Sequence, residues 1–531
     1  GIFAFHPSAG MPDSDELLRT REAMRSRGPN GDGEWWSDDR RLGLAHRRLA
    51  VIDLTTTSDQ PLVSRCGGYV IVFNGEIYNY KEIRAKLEED GCEFRTNSDT
   101  EVVLELFRTK GAKMLRSLRG MFALAIWDRL RRRLFVARDP YGIKPLYISN
   151  DGWTFRFASQ VQALIVGKGI SRTLEPAGVV GFHLWGYVPE PFTLYRDITS
   201  LPAGHYQWID QNGPAPAVQY CSVTSLLHDF AERPLEEQAL ADAVSSALNS
   251  SVSAHLTADV DVGLFLSGGV DSAALLSLMV KKTGRPISAI TIFFREFRDT
   301  TFDEVALASS IAKAAGAKHY PRLITRDEFE QDLPSIISAM DQPSVDGINT
   351  WFAAKAAKEI GLKVAISGAG ADELFAGYKS FDLVPSIVKW GRLPGSVPLL
   401  GQLIRRAWGF SGRTPGRAKL PSLFEYSGSY GRAYFLQRGL FMPHELGAFM
   451  DTEILRHGLK RLGRGLGVDE KAYPQNLSSL QKVAALEANN YLRSQLLRDA
   501  DWAGMAHGVE IRTPYVDVWL TVAVAKYLAS F

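Results

Sequence analysis

A run of serine, glycine and aspartate residues in the middle of the chain has the composition of a phosphate-binding loop. The apolar residues 262–266 predict a short buried strand, and residues 267–272 (SGGVDS) close it before a predicted helix begins at Ala273. Glycines let backbone N–H groups approach a ligand, and a helix start with two serine hydroxyls favours an anion. Asp271 fits beside phosphate if a magnesium ion lies between them. Because no Gly-Lys-Ser/Thr follows, the stretch is not a Walker A loop.

A second glycine-rich turn, at residues 367–373 (SGAGADE), follows another predicted strand at 362–366. Strands and helices alternate in this half of the chain, which predicts a doubly wound parallel sheet that binds ligands at the carboxyl ends of its strands. Asp271 and Asp372 would then be two carboxylates at one crevice, a suitable pair for Mg²⁺ on a triphosphate. Capping of the following helix is the other interpretation of Asp372 and Glu373, and both roles can hold together.

Five polar residues near the amino terminus have the chemistry needed to hold an amino acid. Arg48 could pair with an α-carboxylate, Glu76 and Asp99 could take an α-ammonium group, and Asn74-Gly75 could donate hydrogen bonds to a carbonyl or oxyanion. Spacing alone does not bring these residues together, and Asn74-Gly75 by itself is equally typical of a hairpin turn.

The elements around these five residues alternate short β-type runs with helical spacing at 80–89 and 100–109. Residues 122–128 and 134–139 predict two strands of a hairpin with arginines at its tip, which we interpret as a solvated turn. The pattern indicates a layered sheet-and-helix domain. A segment rich in Ala, Gly and Pro then precedes the second domain, and we place the domains at 1–212 and 222–531.

Composition excludes several classes of protein. The 531 residues are 45% hydrophobic and 23% charged, as in a globular protein of two or three domains, and the formal charge of +2 argues against bulk nucleic-acid binding. The three cysteines show no pairing or zinc pattern, which fits a reducing compartment. No apolar run reaches transmembrane length. We therefore expect a cytoplasmic protein with no nucleic-acid or membrane partner.

The motifs, taken in order, resemble one family throughout. RGPN, HRRLAVID, FNGEIYNY, SDTEV and ARDPYGIKPLY in residues 1–150 are similar to the class II glutamine amidotransferase domain of the asparagine synthetase family. SGGVDS, SGAGADELFAGY and the EIR and PYVD segments near the end follow the same family's synthetase domain, whose first loop resembles that of the ATP pyrophosphatases. The resemblance implies an α+β four-layer Ntn-type sandwich, followed by an ATP pyrophosphatase-like parallel sheet with additional helices.

The resemblance also implies a reaction and the residues that serve it. A carboxylate would be adenylated by ATP with Mg²⁺, and ammonia from glutamine would attack the acyl-AMP, as in the conversion of L-aspartate to asparagine. The partners would be these small molecules, and a homodimer is one candidate assembly. The implied glutamine-binding residues are Arg48, Asn74, Gly75, Glu76 and Asp99. The implied ATP-binding residues are Leu266, Ser267, Gly268, Gly269, Asp271, Ser272, Ile292, Ser367 and Gly368, with Asp271 and Asp372 as metal ligands.

Three departures from the family pattern bear on the activity. The family's nucleophilic cysteine is expected directly before Gly1, and we expect Met-Cys to precede Gly1 in the gene. Ala369 stands where the family has a glutamate, and residues 341–350 (DQPSVDGINT), which include Asp346 and Asn349, replace a Ser-Thr-Pro-type segment. These differences leave the acceptor open between L-aspartate, another carboxylate such as a sugar acid or natural-product intermediate, and ring closure of the β-lactam synthetase kind.

Two other classes are less well supported by the sequence. A sulfur-inserting RNA enzyme built on the same ATP loop would need catalytic cysteines, and the second half has only Cys221 at its edge. A non-catalytic nucleotide-binding scaffold is favoured only if Ala369 and the missing cysteine are both native, and turnover of ATP would exclude it.

Overall fold

The computed structural model describes residues 1–167, 169–229, 237–298, 300, 303–395, 401, 403, 419, 422–468, 473–474 and 476–529. Thirteen strands are described in the first 221 residues. They are β1 (Ile2–Ala4), β2 (Gly31–Trp36), β3 (Leu42–Arg48), β4 (Leu62–Val63), β5 (Tyr69–Ile77), β6 (Gly120–Asp128), β7 (Arg133–Arg138), β8 (Tyr147–Asn150), β9 (Thr154–Ala158), β10 (Thr199–Ser200), β11 (His205–Asp210), β12 (Gly213–Pro214) and β13 (Val218–Gln219).

These strands form two antiparallel sheets. The first has the order β10-β8-β9-β1-β3-β2, and the second has the order β12-β11-β7-β6-β5-β4, with β13 paired to β11. The predicted hairpin is confirmed as β6 and β7, which pair from Ala123↔Arg138 to Asp128↔Arg133. The helices of this part are α1 (Ser14–Glu22), α2 (Tyr80–Glu89), α3 (Asp99–Lys110), α4 (Val161–Gly167) and α5 (Pro176–Trp185).

Alternation along the central strands explains why the sheets are stacked between helices. On β5, Val70 and Val72 pack against the first sheet, whereas Ile71 and Phe73 pack under α3. Both faces of this strand are therefore buried. Helices α1 and α4 pack together over the first sheet and α2 and α3 over the second, giving the order helix, sheet, sheet, helix. The predicted four-layer sandwich is confirmed.

The second domain is built on a five-stranded parallel sheet. Its strands are β14 (Val262–Phe265), β15 (Ser288–Phe294), β16 (Lys318–Ile324), β17 (Val364–Ile366) and β18 (Glu510–Arg512), in the order β16-β15-β14-β17-β18. The chain moves outward from β14 to β16 and then returns to β17 on the other side. This reversal opens a crevice at the carboxyl ends of β14 and β17, where such sheets bind ligands.

The helices of the second domain lie on both sides of its sheet and extend beyond it. They are α6 (Val223–Asp229), α7 (Glu237–His255), α8 (Val270–Thr283), α9 (Val305–Ala315), α10 (Arg326–Ala339), α11 (Ile348–Glu359), α12 (Ala371–Leu374), α13 (Ser380–Gly395), α14 (Leu423–Tyr426), α15 (Tyr430–Arg438), α16 (Pro443–Leu446), α17 (Thr452–Leu462), α18 (Ser479–Glu487), a π-helical segment (Ala488–Leu497), α19 (Arg498–Ala506) and α20 (Val518–Ala529). Among the described residues, no helix combines the length and apolar character needed to cross a membrane.

The two domains share one apolar core. Tyr78, Met121 and Tyr141 of the first domain belong to the same buried cluster as Leu264 and Leu520 of the second. Buried ion pairs also cross the interface, among them two with short hydrogen bonds. Arg119 bonds Asp517 at 2.7 and 3.1 Å, and Arg27 bonds Asp501 at 2.6 and 2.9 Å. Burial of both apolar and charged groups indicates a permanent contact between the domains.

Candidate functional site

A cavity of about 130 Å³ lies at the ends of strands from both sheets of the first domain. All five residues predicted to bind an amino acid line it, although they come from three separate elements. Arg48 ends β3, Asn74, Gly75 and Glu76 lie on β5, and Asp99 begins α3. Gly1 also lines the cavity, and its nitrogen donates a hydrogen bond to the Phe157 carbonyl oxygen at 2.7 Å.

Gly75 is required by close packing of the backbone. A Cβ atom at this position would lie 2.0 Å from the carbonyl oxygen of Met121, and φ is +151°. No other residue fits without displacing the neighbouring strand β6. The side chain of Asn74 crosses to the first sheet, where Nδ2 donates to Ser159 Oγ at 3.3 Å. The Asn-Gly pair therefore lies inside a strand and is not a hairpin turn.

The guanidinium of Arg48 is held by the loop that follows its strand. Nη1 donates to the Thr55 carbonyl oxygen at 2.7 Å and to Asp59 Oδ1 at 2.9 Å, while Nη2 donates to the carbonyl oxygens of Ile52, at 3.3 Å, and Asp53. The side chain is buried. A ligand carboxylate would therefore compete with Asp59 for this arginine.

The acidic side of the cavity contains one more carboxylate than we predicted. Glu510, on β18 of the second domain, joins Glu76 and Asp99. Two buried cations face the three acids. Arg512 Nε donates to Glu510 at 2.8 Å, and Lys144 Nζ lies 3.5 Å from the other oxygen of Glu510. Glu510, Lys144 and Arg512 were not predicted as site residues, because 366 positions separate Lys144 from Glu510 and only the folded interface brings them together.

Glu76 and Arg512 face each other without a hydrogen bond. Glu76 Oε2 and Arg512 Nη2 are 3.7 Å apart, and both atoms are buried without a hydrogen-bond partner among the described residues. Burial, followed by the charges of Glu510 and Asp99, raises the pKa of Glu76 well above its ordinary value. Burial likewise raises the pKa of Asp99 to about 6. This end of the cavity is therefore short of positive charge.

The loop after β14 is internally braced. Ser267 and Ser272 are joined by a hydrogen bond of 3.0 Å between their hydroxyl oxygens, and the N–H of Gly269 donates to Ser267 Oγ at 3.1 Å. The N–H of Gly268 donates to Glu304 Oε2 at 3.2 Å. Gly269 and Val270 at the tip of the loop are exposed. The geometry is that of a preformed turn at a helix start, as an anion site requires.

The turn after β17 lies beside this loop, as the parallel topology predicts. A Cβ atom built on Gly368 would lie 3.6 Å from Asp271 Cβ, and the N–H of Ser367 donates to the Arg512 carbonyl oxygen at 2.8 Å. Burial first, and then the charge of Asp372, raises the pKa of Asp271. Asp271 and Asp372 are thus neighbours at the crevice.

This pair fits a magnesium ion that is shared with phosphates. No group of three or more His, Cys, Asp or Glu side chains suited to a metal occurs in the part of the chain that the structure describes. Mg²⁺ usually binds through one or two carboxylates and completes its shell with water and substrate phosphates. Asp271 and Asp372 match that donor set, and the mutual repulsion that raises the pKa of Asp271 would be relieved by a divalent cation.

Two of the predicted ATP-binding residues, Leu266 and Ile292, differ in their exposure. Leu266 is 2% exposed and its side chain packs in the shared core, so its backbone alone borders the loop; its N–H donates to the Ile290 carbonyl oxygen at 2.8 Å. Ile292 on β15 is half-buried and packs beside Phe265.

The segment 341–350 connects the two domains. Asp341 accepts hydrogen bonds from the N–H groups of Val161 and Gln162 at 2.8 and 2.9 Å. Farther along, Asp346 and Asn349 line a second, open cavity of about 460 Å³ at the carboxyl ends of β15 and β16. The first part of the segment therefore anchors it to the first domain, and the second part reaches the edge of the parallel sheet where the strands have their carboxyl ends.

Comparison with known proteins agrees with both halves of this architecture. The sequence model of the glutamine amidotransferase domain family matches residues 1–221, and that of the asparagine synthase family matches residues 243–527. A putative asparagine synthetase (glutamine-hydrolyzing) of Mycobacterium tuberculosis is 33% identical over 96% of this chain and 78% of its own. Asparagine synthetase (glutamine-hydrolyzing) 1 of Bacillus subtilis is 32% identical over 97% of this chain and 79% of its own.

A further relative is named as an amidase. Amidase chry2 of Gibberella zeae is 31% identical over 69% of this chain and 56% of its own length. The two family matches together span both of the sites described above, and the similarity to the bacterial synthetases runs through the whole chain. The chain therefore belongs to the asparagine synthase family and is a glutamine-dependent ligase.

Proposed function

We propose that this enzyme converts a carboxylate into an amide in three linked steps. Glutamine is hydrolysed to glutamate and ammonia in the first domain. ATP transfers AMP to the carboxylate in the second domain and releases pyrophosphate. Ammonia then attacks the acyl-AMP, forming the C–N bond and releasing AMP and a proton.

The observation that carries the glutamine step is the charge of the cavity in the first domain. Among the described residues, the cations within 4 Å of Glu76 and Glu510 are Arg512 and Lys144, and the arginines elsewhere in the lining have acidic partners of their own, as Arg48 has in Asp59. The acidic end of the cavity, formed by Glu76, Asp99 and Glu510, therefore has room for one more positive charge. The α-ammonium group of an amino acid would supply that charge, between Glu76 and Asp99. The α-carboxylate would bind Arg48 in competition with Asp59, and Asn74 would donate to the side-chain carbonyl.

The nucleophile of this step would come from the residue before Gly1. Because Gly1 lines the cavity, a cysteine directly preceding it would place its thiol against the bound amide. The terminal amine of that cysteine would take up the thiol proton. Intact-mass measurement of the protein made from the full gene tests this expectation, and a natural start at Gly1 would leave an enzyme dependent on free ammonia.

The adenylation step would use the crevice between β14 and β17. The backbone and hydroxyls of Ser267, Gly268, Gly269 and Ser272 would hold the pyrophosphate, while Ile292, the backbone of Leu266, Ser367 and Gly368 would border the adenine and ribose. Asp271 and Asp372 would hold Mg²⁺, which neutralises charge on the phosphates when bound. Both carboxylates lie in the first turn of a helix, at the carboxyl ends of β14 and β17.

Ammonia would move between the sites inside the protein. Met505 lines both the glutamine cavity and a small cavity at the domain interface, and Asp501 lines that second cavity and a third one beside it. Neutral ammonia is scarce in water at neutral pH, and an acyl-AMP hydrolyses readily there. A shielded route would protect both reactants.

One experiment tests the two halves separately. Pyrophosphate release is measured with ATP, Mg²⁺ and L-aspartate, first with ammonium chloride and then with glutamine, using protein with its gene-encoded termini. Asp271→Asn should abolish release with either nitrogen source, whereas Glu76→Gln should abolish only the glutamine-dependent reaction. Equal loss with both sources in Glu76→Gln would contradict the separation of the two sites.

A specific observation favours an acceptor other than aspartate. Ala369 lies in the turn at the crevice, where the family has a glutamate, and a methyl group neither accepts a proton nor orients an amine. Amidation of a different class of carboxylate, or ring closure of the β-lactam synthetase kind, is therefore the alternative function. The mass of the product separates them, because an external amide retains the ammonia nitrogen and a ring does not.

A further inference from the structure

The open cavity of about 460 Å³ at the carboxyl ends of β15 and β16 has no role in the reaction described so far. Its walls come from the turn after β15, the first turn of α10 and the segment that begins α11. The apolar lining residues are Phe294, Phe297, Phe329, Val345 and Ile348. Phe297 and Val345 are 47% and 53% exposed, so a large aromatic and aliphatic surface faces solvent in this cavity.

The position of the cavity relates it to the adenylation crevice. All five strands of the sheet are parallel, so every carboxyl end lies on one edge. Strand β15, which ends at Phe294, is hydrogen-bonded to β14, which ends at the phosphate loop. Neighbouring strands are about 5 Å apart. A carboxylate activated at the crevice can thus extend its remaining atoms into this cavity.

The charges of the cavity are unsuited to a second carboxylate. The charged lining residues are Glu296, Arg326 and Asp346, and Arg326 is already paired with Glu330 at 2.8 Å. Asp346 is half-buried, and its Oδ1 accepts a hydrogen bond from the Gly347 N–H at 2.8 Å. The wall therefore provides a carboxylate that can accept a hydrogen bond from a positively charged or N–H group of a ligand. It also provides apolar surface for the rest of that ligand.

We propose that this cavity binds the body of the acceptor, and that the acceptor carries an amino group and an aromatic or branched apolar group rather than a second carboxylate. The inference rests on the proposed function and assigns its substrate class. L-Aspartate would place its α-carboxylate against a described lining that has two acids and one cation, Arg326, which is already paired with Glu330, and it has no apolar group to cover the three phenylalanine rings. An apolar acceptor would bury surface that now faces water.

A matched pair of acids tests this. 3-Amino-3-phenylpropanoate has the amine and the reacting carboxylate of L-aspartate, with a phenyl ring in place of the other carboxylate. Calorimetric titration of the full chain, saturated with Mg²⁺ and α,β-methylene ATP, should show at least tenfold tighter binding of the phenyl compound. Binding of L-aspartate with equal or higher affinity would overturn the assignment.

A substitution in the lining tests whether the cavity causes this binding preference. Asn349 is exposed at the start of α11, so Asn349→Arg adds a cation to the lining without disturbing the core. This substitution should weaken binding of the phenyl compound at least tenfold and strengthen binding of L-aspartate. Ile337→Arg is the control, because Ile337 is 63% exposed on α10 and is not part of the cavity lining. Circular dichroism checks that both variants fold.

Two outcomes with these variants would refute the proposal. Unchanged affinity for the phenyl compound in Asn349→Arg would place its binding elsewhere. An equal loss of affinity for the nucleotide analogue would make the cavity part of the nucleotide site. Pyrophosphate release with the same two acids and ammonium reports separately on the proposed function, because absence of release with both acids leaves the binding preference intact.

Discussion

The carboxylate of Asp99 is expected to destabilise the ligand-free protein, so Asp99→Asn should make the protein more stable at pH 7.5. Asp99 is 4% exposed, and burial raises its pKa from 3.8 to about 6. Between these pH values the folded protein binds a proton that the unfolded chain has released. The folded state therefore loses stability as pH rises through this window and regains it as pH falls.

The magnitude follows from the size of the shift. A difference of about two pKa units corresponds to about 3 kcal/mol of lost stability well above pH 6. Asparagine keeps an oxygen for the Ile77 N–H, which donates to Asp99 Oδ2 at 2.9 Å. It cannot also accept from the Thr100 N–H, and loss of that bond costs about 1–2 kcal/mol. The net gain should be about 1–2 kcal/mol at pH 7.5, and the charge contribution should fall to about half at pH 5.

Urea unfolding at pH 7.5 and pH 5, followed by tryptophan fluorescence, measures this effect. Asp501→Asn is the matched control with the opposite sign, because it breaks the buried pair with Arg27 and should destabilise the protein by about 3 kcal/mol. Asp99→Asn should also lose glutamine binding, since the ammonium group loses its partner. A loss of 1 kcal/mol or more in Asp99→Asn at pH 7.5 would show that the carboxylate is stabilising, and the charge argument for the cavity would be wrong.

Three further predictions concern other parts of the two sites. Gly75→Ala should lower stability by at least about 2 kcal/mol in urea unfolding, because its Cβ would lie 2.0 Å from Met121 O, whereas Gly10→Ala, which meets no atom within 4 Å, should change little. Asp372→Asn should reduce pyrophosphate release at least about 100-fold through lost metal binding, and Asp382→Asn, exposed on α13, should not. Asp517→Asn should destabilise the protein by about 3 kcal/mol by leaving Arg119 buried without its partner, while Glu453→Gln, in an exposed pair with Arg456, should cost less than about 1 kcal/mol. In each comparison, similar effects of the first substitution and its control would show that the role assigned to the first residue is wrong.

Local patterns in the sequence were sufficient for elements whose signal repeats over several residues. The helix predicted at 80–89 is α2 with the same bounds, and the strands predicted around the phosphate loop and the 367–373 turn are β14 and β17. Patterns with a period of 2 or 3.6 residues depend only on residues that are close in sequence. The strands and helices that they predict are therefore found again in the folded chain. The crevice was also predictable, because parallel strands place their carboxyl ends on one edge whatever the rest of the chain does.

Contacts between distant parts of the chain were not predictable in this way. Arg48 was expected to face a ligand carboxylate, but three backbone carbonyl groups of the loop that follows it share its guanidinium with Asp59. The EIR motif was recognised as a family feature without indicating that Glu510 would enter a cavity of the other domain. The direction of a backbone carbonyl group and the packing of one domain against another produce no periodic pattern in the sequence. A buried ion pair between distant residues can be recognised only when the positions of both residues in the fold are known.

The short strand β18 explains why the two sites belong in one folded unit. Arg512 lies between them. Its carbonyl oxygen accepts the Ser367 N–H beside the phosphate loop, while its side chain reaches Glu510 and faces Glu76 in the other domain. The side chain is fully buried and also donates to two carbonyl oxygens of the segment before β14. A change of charge at Glu76 would therefore act on a fully buried guanidinium, and the same residue positions Ser367 through its carbonyl oxygen. Separation of the domains would expose Glu76 to water and leave Arg512 with the partners of its own domain, Glu510 among them. The acidic end of the glutamine cavity therefore exists only when both domains are packed together, which favours a single chain for both reactions.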